Sequence, residues 1–216
     1  LLFIRTYKGF HMIRILTQRF FFLTNFILLN TFLIGQVSHN VFFSEISEGT
    51  SNNKYLEIFN GSDSDVDLSQ YAISRCTNGC DDDSNWDYPF IITFEEGTIV
   101  STGDVFVIAH PNANPVILLQ ADYLTHLLSN GDDVTGLVNA SSGEIIDIIG
   151  DIGPDPGQGW DVAGITEATR NHTLVRKSWV EQGNSDWISS AGTDVTNSEW
   201  IVLSINTWDY LGIHPG

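Results

Sequence analysis

From residue 41 onward the chain is cut into short apolar or alternating runs, each closed by turn chemistry. The runs span 41–46, 55–59, 71–75, 90–94, 104–109, 133–138, 144–149, 173–176 and 200–203. Runs of four to six residues are strand-sized and too brief for helices that must bury a stripe. Between them stand Asn60-Gly61, Asn78-Gly79, Thr102-Gly103, Asn130-Gly131 and Ser142-Gly143, dipeptides that reverse the chain. In 55–59, Leu56 and Ile58 share one face and Tyr55, Glu57 and Phe59 the other, the two-residue period of a strand. The run 104–109 is apolar on both faces, as a central sandwich strand is. One helix is expected. Asn114 caps it, Pro115 takes its first position, and 116–128 carries apolar residues at helical spacing. Many short strands and one short helix predict an all-β fold, an immunoglobulin-like β-sandwich.

The segment ahead of these runs reads as an export signal. Met12 is taken as the start, with 1–11 as upstream translation. Arg14 and Arg19 form a basic flank to the apolar stretch 20–34. That stretch is shorter than the ~20 residues a spanning helix needs. Residues 12–36 are therefore read as a cleaved signal peptide, leaving 37–216 without a membrane span, secreted or at the cell surface. The remainder is long enough for one domain with a core of its own. Both ends read as those of a partial frame, so 37–216 is expected to be the N-terminal part of a longer protein.

Charge excludes one class of partner. Four of the nine basic residues and none of the 27 acidic ones precede residue 37, so residues 37–216 carry a net charge of −22. Such a surface repels phosphate backbones, and no nucleic-acid partner is expected. It suits a salty medium, divalent cations or basic partners, with plain solubility the simpler reading; a protein or a polysaccharide is the partner class left open.

Candidate chemistry is sparse. Cys76 and Cys80, flanking Thr-Asn-Gly, are expected to close a small disulfide after export. Asp63, Asp65 and Asp67 alternate between two runs, and Asp81, Asp82 and Asp83 follow Cys80. Carboxylates so spaced are weak candidates for Ca2+, which takes six to eight oxygens. Solvated acidic turns are the simpler reading, because the glycine and glutamate of the helix–loop–helix calcium motif are missing. Trp86 and Trp160 lie in polar loops and are the candidates for a binding surface. Glu45, Glu48 and Glu57 are read as pinning the first hairpin loop, with Glu57 facing solvent or paired across a strand. His39, His110, His126, His172 and His214 are spread along the chain, and none forms an H-x-x-x-H pair. Nothing singles out a catalytic pair.

The order of several blocks resembles the lamin-tail domain family, in its exported bacterial branch. The blocks are Phe43-Ser44-Glu45-Ile46-Ser47-Glu48-Gly49 with Asn52-Asn53-Lys54-Tyr55-Leu56-Glu57-Ile58-Phe59-Asn60, and Val66-Asp67-Leu68-Ser69-Gln70-Tyr71. They continue with Ser129-Asn130-Gly131-Asp132-Asp133, Ile146-Asp147-Ile148-Ile149-Gly150, His172-Thr173-Leu174-Val175-Arg176-Lys177 and Asn197-Ser198-Glu199-Trp200. The resemblance implies an immunoglobulin-like sandwich without a catalytic motif. It also implies an exported accessory or binding module, of the kind found beside nucleases, phosphatases or surface-anchoring tails. The alternatives are the front of a secreted hydrolase and a structural spacer in a surface protein.

Overall fold

The computed structural model describes residues 37–80 and 85–215. The signal-peptide reading of 12–36, the upstream segment 1–11, and Asp81, Asp82 and Asp83 fall outside them. In chain order the strands are β1 (Val41–Glu48), β2 (Lys54–Asn60), β3 (Val66–Asp67), β4 (Tyr71–Cys76), β5 (Tyr88–Thr93), β6 (Ile99–Val100), β7 (Val105–Ala109), β8 (Tyr123–Leu124), β9 (Val134–Asn139), β10 (Ile145–Ile149), β11 (His172–Arg176) and β12 (Trp200–Ser204). Each expected run is a strand, and three two-residue strands join them.

One sheet runs β12-β11-β1-β2-β7-β8 and the other β10-β9-β4-β5, with β3 and β6 as a small clasp. The ladders are antiparallel except for β7–β8. Between the sheets lie Phe43, Leu56, Ile58, Ile108 and Leu174 from the first, and Tyr71, Ile73, Val134, Leu137 and Ile146 from the second. The all-β sandwich of immunoglobulin-like type is thus the fold. A bulge between Phe43 and Glu45 lets Phe43 and Ile46, three residues apart, face the same core.

A buried polar centre locks the two sheets. Asp147 on β10 and Arg176 on β11 have side chains without exposure. The guanidinium grips both carboxylate oxygens at 2.8 and 2.6 Å. Phe43 of β1 closes the loop: its N–H donates to Asp147 (2.8 Å) and its carbonyl accepts from Arg176 Nε (3.2 Å). Glu199 takes a further guanidinium N–H at 2.5 Å, and the Trp200 ring lies 3.9 Å from the guanidinium carbon. Burial pushes the Asp147 carboxyl up, and Arg176 with the N–H groups of Asn184 and Phe43 pulls against it.

The expected helix over 116–128 is corrected to one turn, α1 (Pro115–Leu118). Asn114 caps it as expected, accepting from the Val116 N–H at 2.9 Å. Leu119 then projects into solvent, 84% exposed, and Tyr123, Leu124 and Leu127 beyond it are exposed too, so no helical stripe is buried there. Asp122 accepts the Val107 N–H at 2.8 Å, and this draws the chain into β8 beside β7. A second short helix, α2 (Trp187–Ala191), is capped by Asp186. Among the described residues no helix is long and apolar enough to cross a membrane.

The outer face of the six-stranded sheet carries a second, smaller core. Tyr55, Val107 and Ala109 are covered there by Ala113, Ile117 and Leu211, with Trp208 packed alongside.

Candidate functional site

Loops gathered at one end of the sandwich form an open polar cleft of about 240 Å³. Its walls are Glu48 from the end of β1, Asn78 inside the disulfide loop, Asn130-Gly131-Asp132 before β9, and Gln158 and Arg170 from the long 150–171 connection. Gly49 makes the first wall feasible. A Cβ there would stand 2.6 Å from Asn206 Oδ1 and 2.7 Å from the Asn53 carbonyl.

The backbone beneath the cleft is fixed. Asp133, 5% exposed, accepts from the N–H groups of both Asn78 (3.1 Å) and Asn130 (2.8 Å), tying two walls together. Gly79 N–H donates to the Asp132 carbonyl at 3.0 Å, and Thr169 Oγ1 donates to the Gly131 carbonyl at 2.6 Å. Cys76 and Cys80 are bonded, their Cα atoms 5.0 Å apart, which closes the Asn78 loop. Lys54 Nζ bonds Asn130 Oδ1 at 2.6 Å and stands 3.6 Å from Glu48. Glu48 also accepts the Asn171 N–H, and Arg170 donates to Gln158. Glu48 therefore stands across the hairpin from Lys54 and ties the end of β1 to the 150–171 connection. Among the described residues the Asp132 carboxylate and the Asn78 carboxamide have no hydrogen-bond partner in the protein, so both are free to meet a ligand.

This wall set offers carboxylate and amide acceptors beside amide and guanidinium donors. Such a mixture matches hydroxyl groups or peptide amides, and a single guanidinium flanked by carboxylates is a poor phosphate cradle.

The sequence-based candidates fall elsewhere. Asp63, Asp65 and Asp67 do not converge. Asp63 and Asp65 are exposed, and Asp65 accepts the Thr102 N–H. Asp67 accepts from Ser69 and Gly97 N–H groups at 2.9 Å each, which hold its carboxyl below the usual range. The Asp65 and Asp67 oxygens thus cap backbone N–H groups in turns. Among the described residues no group of three or more His, Cys, Asp or Glu side chains is placed to hold a metal.

Trp86 and Trp160, expected on an exposed surface, are half-buried against the core. The Trp86 ring covers Gly136, where a Cβ would stand 2.5 Å away; the Trp160 ring covers Gly150 in the same manner. Trp179, at 59% exposure, is the tryptophan that projects into solvent. The histidines are not all separate: His110 Nε2 and His126 Nδ1 are 3.2 Å apart. The Asn112 N–H donates to His110 Nδ1, which assigns the ring proton to Nε2, shared with His126. Glu45 and Glu57 are buried and do not pin the hairpin loop; Glu57 is paired across the strand, accepting from Ser44 Oγ at 2.6 Å.

The Lamin Tail Domain family matches residues 35–153, and the chain belongs to that family. Among solved structures, the crystal structure of a DUF4876 family protein from Bacteroides thetaiotaomicron, at 2.50 Å resolution, is one that this chain resembles. It has a TM-score of 0.47 and 8% identity over 82% of this chain and 74% of that one. No curated protein matches.

Proposed function

We propose that this chain is an exported, non-catalytic binding module whose loop-end cleft grips a polysaccharide. The observation that carries the reading is the cleft itself: two unpaired polar side chains, Asp132 and Asn78, on backbone that Asp133 and the Cys76–Cys80 loop hold still. Rigid presentation lowers the ordering cost of binding. A polar cleft also fits a hydroxyl-rich chain better than a protein partner, which needs an apolar centre. The non-catalytic reading is supported by where the perturbed carboxyls sit. Glu45 and Glu57, which burial pushes up to about 8 and about 7, are 1% and 0% exposed, where no substrate reaches them. Export is supported by the basic flank and the apolar stretch 20–34, and by a disulfide, which persists in oxidising compartments.

Sedimentation of the full chain with peptidoglycan sacculi, chitin and cellulose tests the binding. Retention on one of these is expected, with Asp132→Ala and Arg170→Ala each weakening it about tenfold, the worth of a charged hydrogen bond. Failure to sediment with all three overturns the polysaccharide reading. Retention untouched by both substitutions moves the site away from the cleft.

A further inference from the structure

Two carboxyls lie sealed beneath the last stretch of the described chain. After β12 the backbone turns at Asn206, a left-handed residue at φ 60, whose side chain is bonded to the Thr50 N–H (3.0 Å) and to Asn53. Residues 207–215 then lie as a strap over the outer face of the six-stranded sheet. Leu211 packs on the Tyr55–Val107–Ala109 patch. The His214 ring lies 4.4 Å from Phe59 and 5.7 Å from Phe42, centroid to centroid. One direct hydrogen bond joins strap to carboxyl: the Gly212 N–H donates to Glu57 Oε2 at 2.7 Å.

Below it, Glu57 Oε1 accepts from Ser44 Oγ at 2.6 Å. Glu45 Oε1 accepts from the Tyr55 hydroxyl, and Glu45 Oε2 is buried without a partner. A buried, unpartnered carboxylate oxygen is costly as an anion and tolerable as a protonated group. The charged groups that face the pair offer no relief. Glu45 meets Glu57 and Asp209 of the strap; Glu57 meets Asp122 ahead of β8 and Asp104 ahead of β7. Arg176 is held on the other side of the sheet by Asp147 and Glu199.

We infer that the segment 207–215 is a pH-operated latch: it stays closed while the buried Glu45–Glu57 pair is protonated, and is released from the sheet when the pair ionises. Release hydrates both carboxylates and leaves the sandwich core intact, since the strap packs only on the outer face.

The acidities agree in direction. Burial first, then neighbouring carboxylates, pushes Glu45 up to about 8 and Glu57 to about 7. Both values exceed those of a hydrated glutamate, so the closed form holds more protons than the open one. The carboxyls' contribution to closure is full below the ordinary carboxylate range and is lost as pH rises to about 8. His214 acts oppositely. Burial and Arg176 lower it to about 4, so protonation weakens the strap as pH falls from the ordinary histidine range toward that value. Above that range only the carboxyls titrate, and opening follows them alone.

Hydrogen exchange of the full chain, read by NMR at the Leu211, Gly212 and Ile213 amides, tests the latch. Corrected for intrinsic rates, protection at these amides is expected to fall at least about tenfold between about pH 6 and about pH 8.5, while that of Leu137 in β9 holds. Glu45→Gln/Glu57→Gln should abolish the fall. Constant protection in the wild type, the same fall in the double variant, or loss at Leu137 in step with the strap each overturns the inference. Should the variant fail to fold, the infrared carboxyl band of the wild type decides: no protonated buried carboxyl at about pH 6 refutes the latch.

Discussion

At the residue scale, the blocks that carry the family likeness gain a physical reason. Phe43, Asp147, Arg176, Glu199 and Trp200 belong to four separate sequence blocks, yet they meet in one buried network. None is legible as a partner of another in the sequence, because pairs 104 and 133 residues apart leave no local pattern. Removing one member of a buried pair strands the other. Asp147→Ala is therefore expected to cost about 3–5 kcal/mol in urea unfolding. Asp147→Leu/Arg176→Met, which removes both charges, should recover much of that loss. A double variant no more stable than Asp147→Ala would show that the centre's contribution is packing rather than charge. Glu45 and Glu57 teach a related lesson. A glutamate within an alternating strand reads as outward-facing, and outward is correct; what covers it arrives about 150 residues later, in the strap.

At the element scale, the strands were legible because period and turn chemistry agree. Every run bounded by Asn-Gly or Thr-Gly became a strand. The apolar spacing over 116–128 misleads for the complementary reason: it reports a helical stripe only if another element buries it, and here Leu119, Tyr123, Leu124 and Leu127 stay exposed. The cleft was illegible because its walls are scattered through turns whose residues, taken singly, read as turn chemistry. Its least regular wall, the loop of Cys76–Cys80, is the one a crosslink holds. Closing so short a loop removes modest chain entropy, so Cys76→Ser/Cys80→Ser should lower stability by about 2 kcal/mol in denaturant unfolding. The same variant should bind polysaccharide more weakly, since Asn78 sits within the freed loop. A loss of stability with binding unchanged would place Asn78 outside the recognition surface.

At the scale of the whole molecule, charge dominates. Residues 37–216 hold five cations against 27 acidic side chains. All five are engaged internally. Lys54 holds the cleft wall, Arg75 bonds the Leu127 carbonyl, Arg170 bonds Gln158, Arg176 is buried, and Lys177 bonds the Val195 and Ser198 carbonyls. The surface seen by solvent is thus anionic almost throughout, and its self-repulsion opposes the compact state. Exposed charges are screened over about 10 Å at 0.1 M salt, whereas the buried Asp147–Arg176 pair, shielded from ions, is screened far less. Added salt therefore removes more repulsion than attraction. Raising NaCl from about 0.01 M to about 0.5 M should raise the melting midpoint by about 2–4 °C for each kcal/mol of repulsion relieved. The gain should be larger at about pH 8 than at about pH 6, because ionised Glu45 and Glu57 then add to Asp104, Asp122 and Asp209 around the strap. A midpoint that falls with salt at both pH values would mean that paired surface charges, rather than repulsion, govern the stability of this domain.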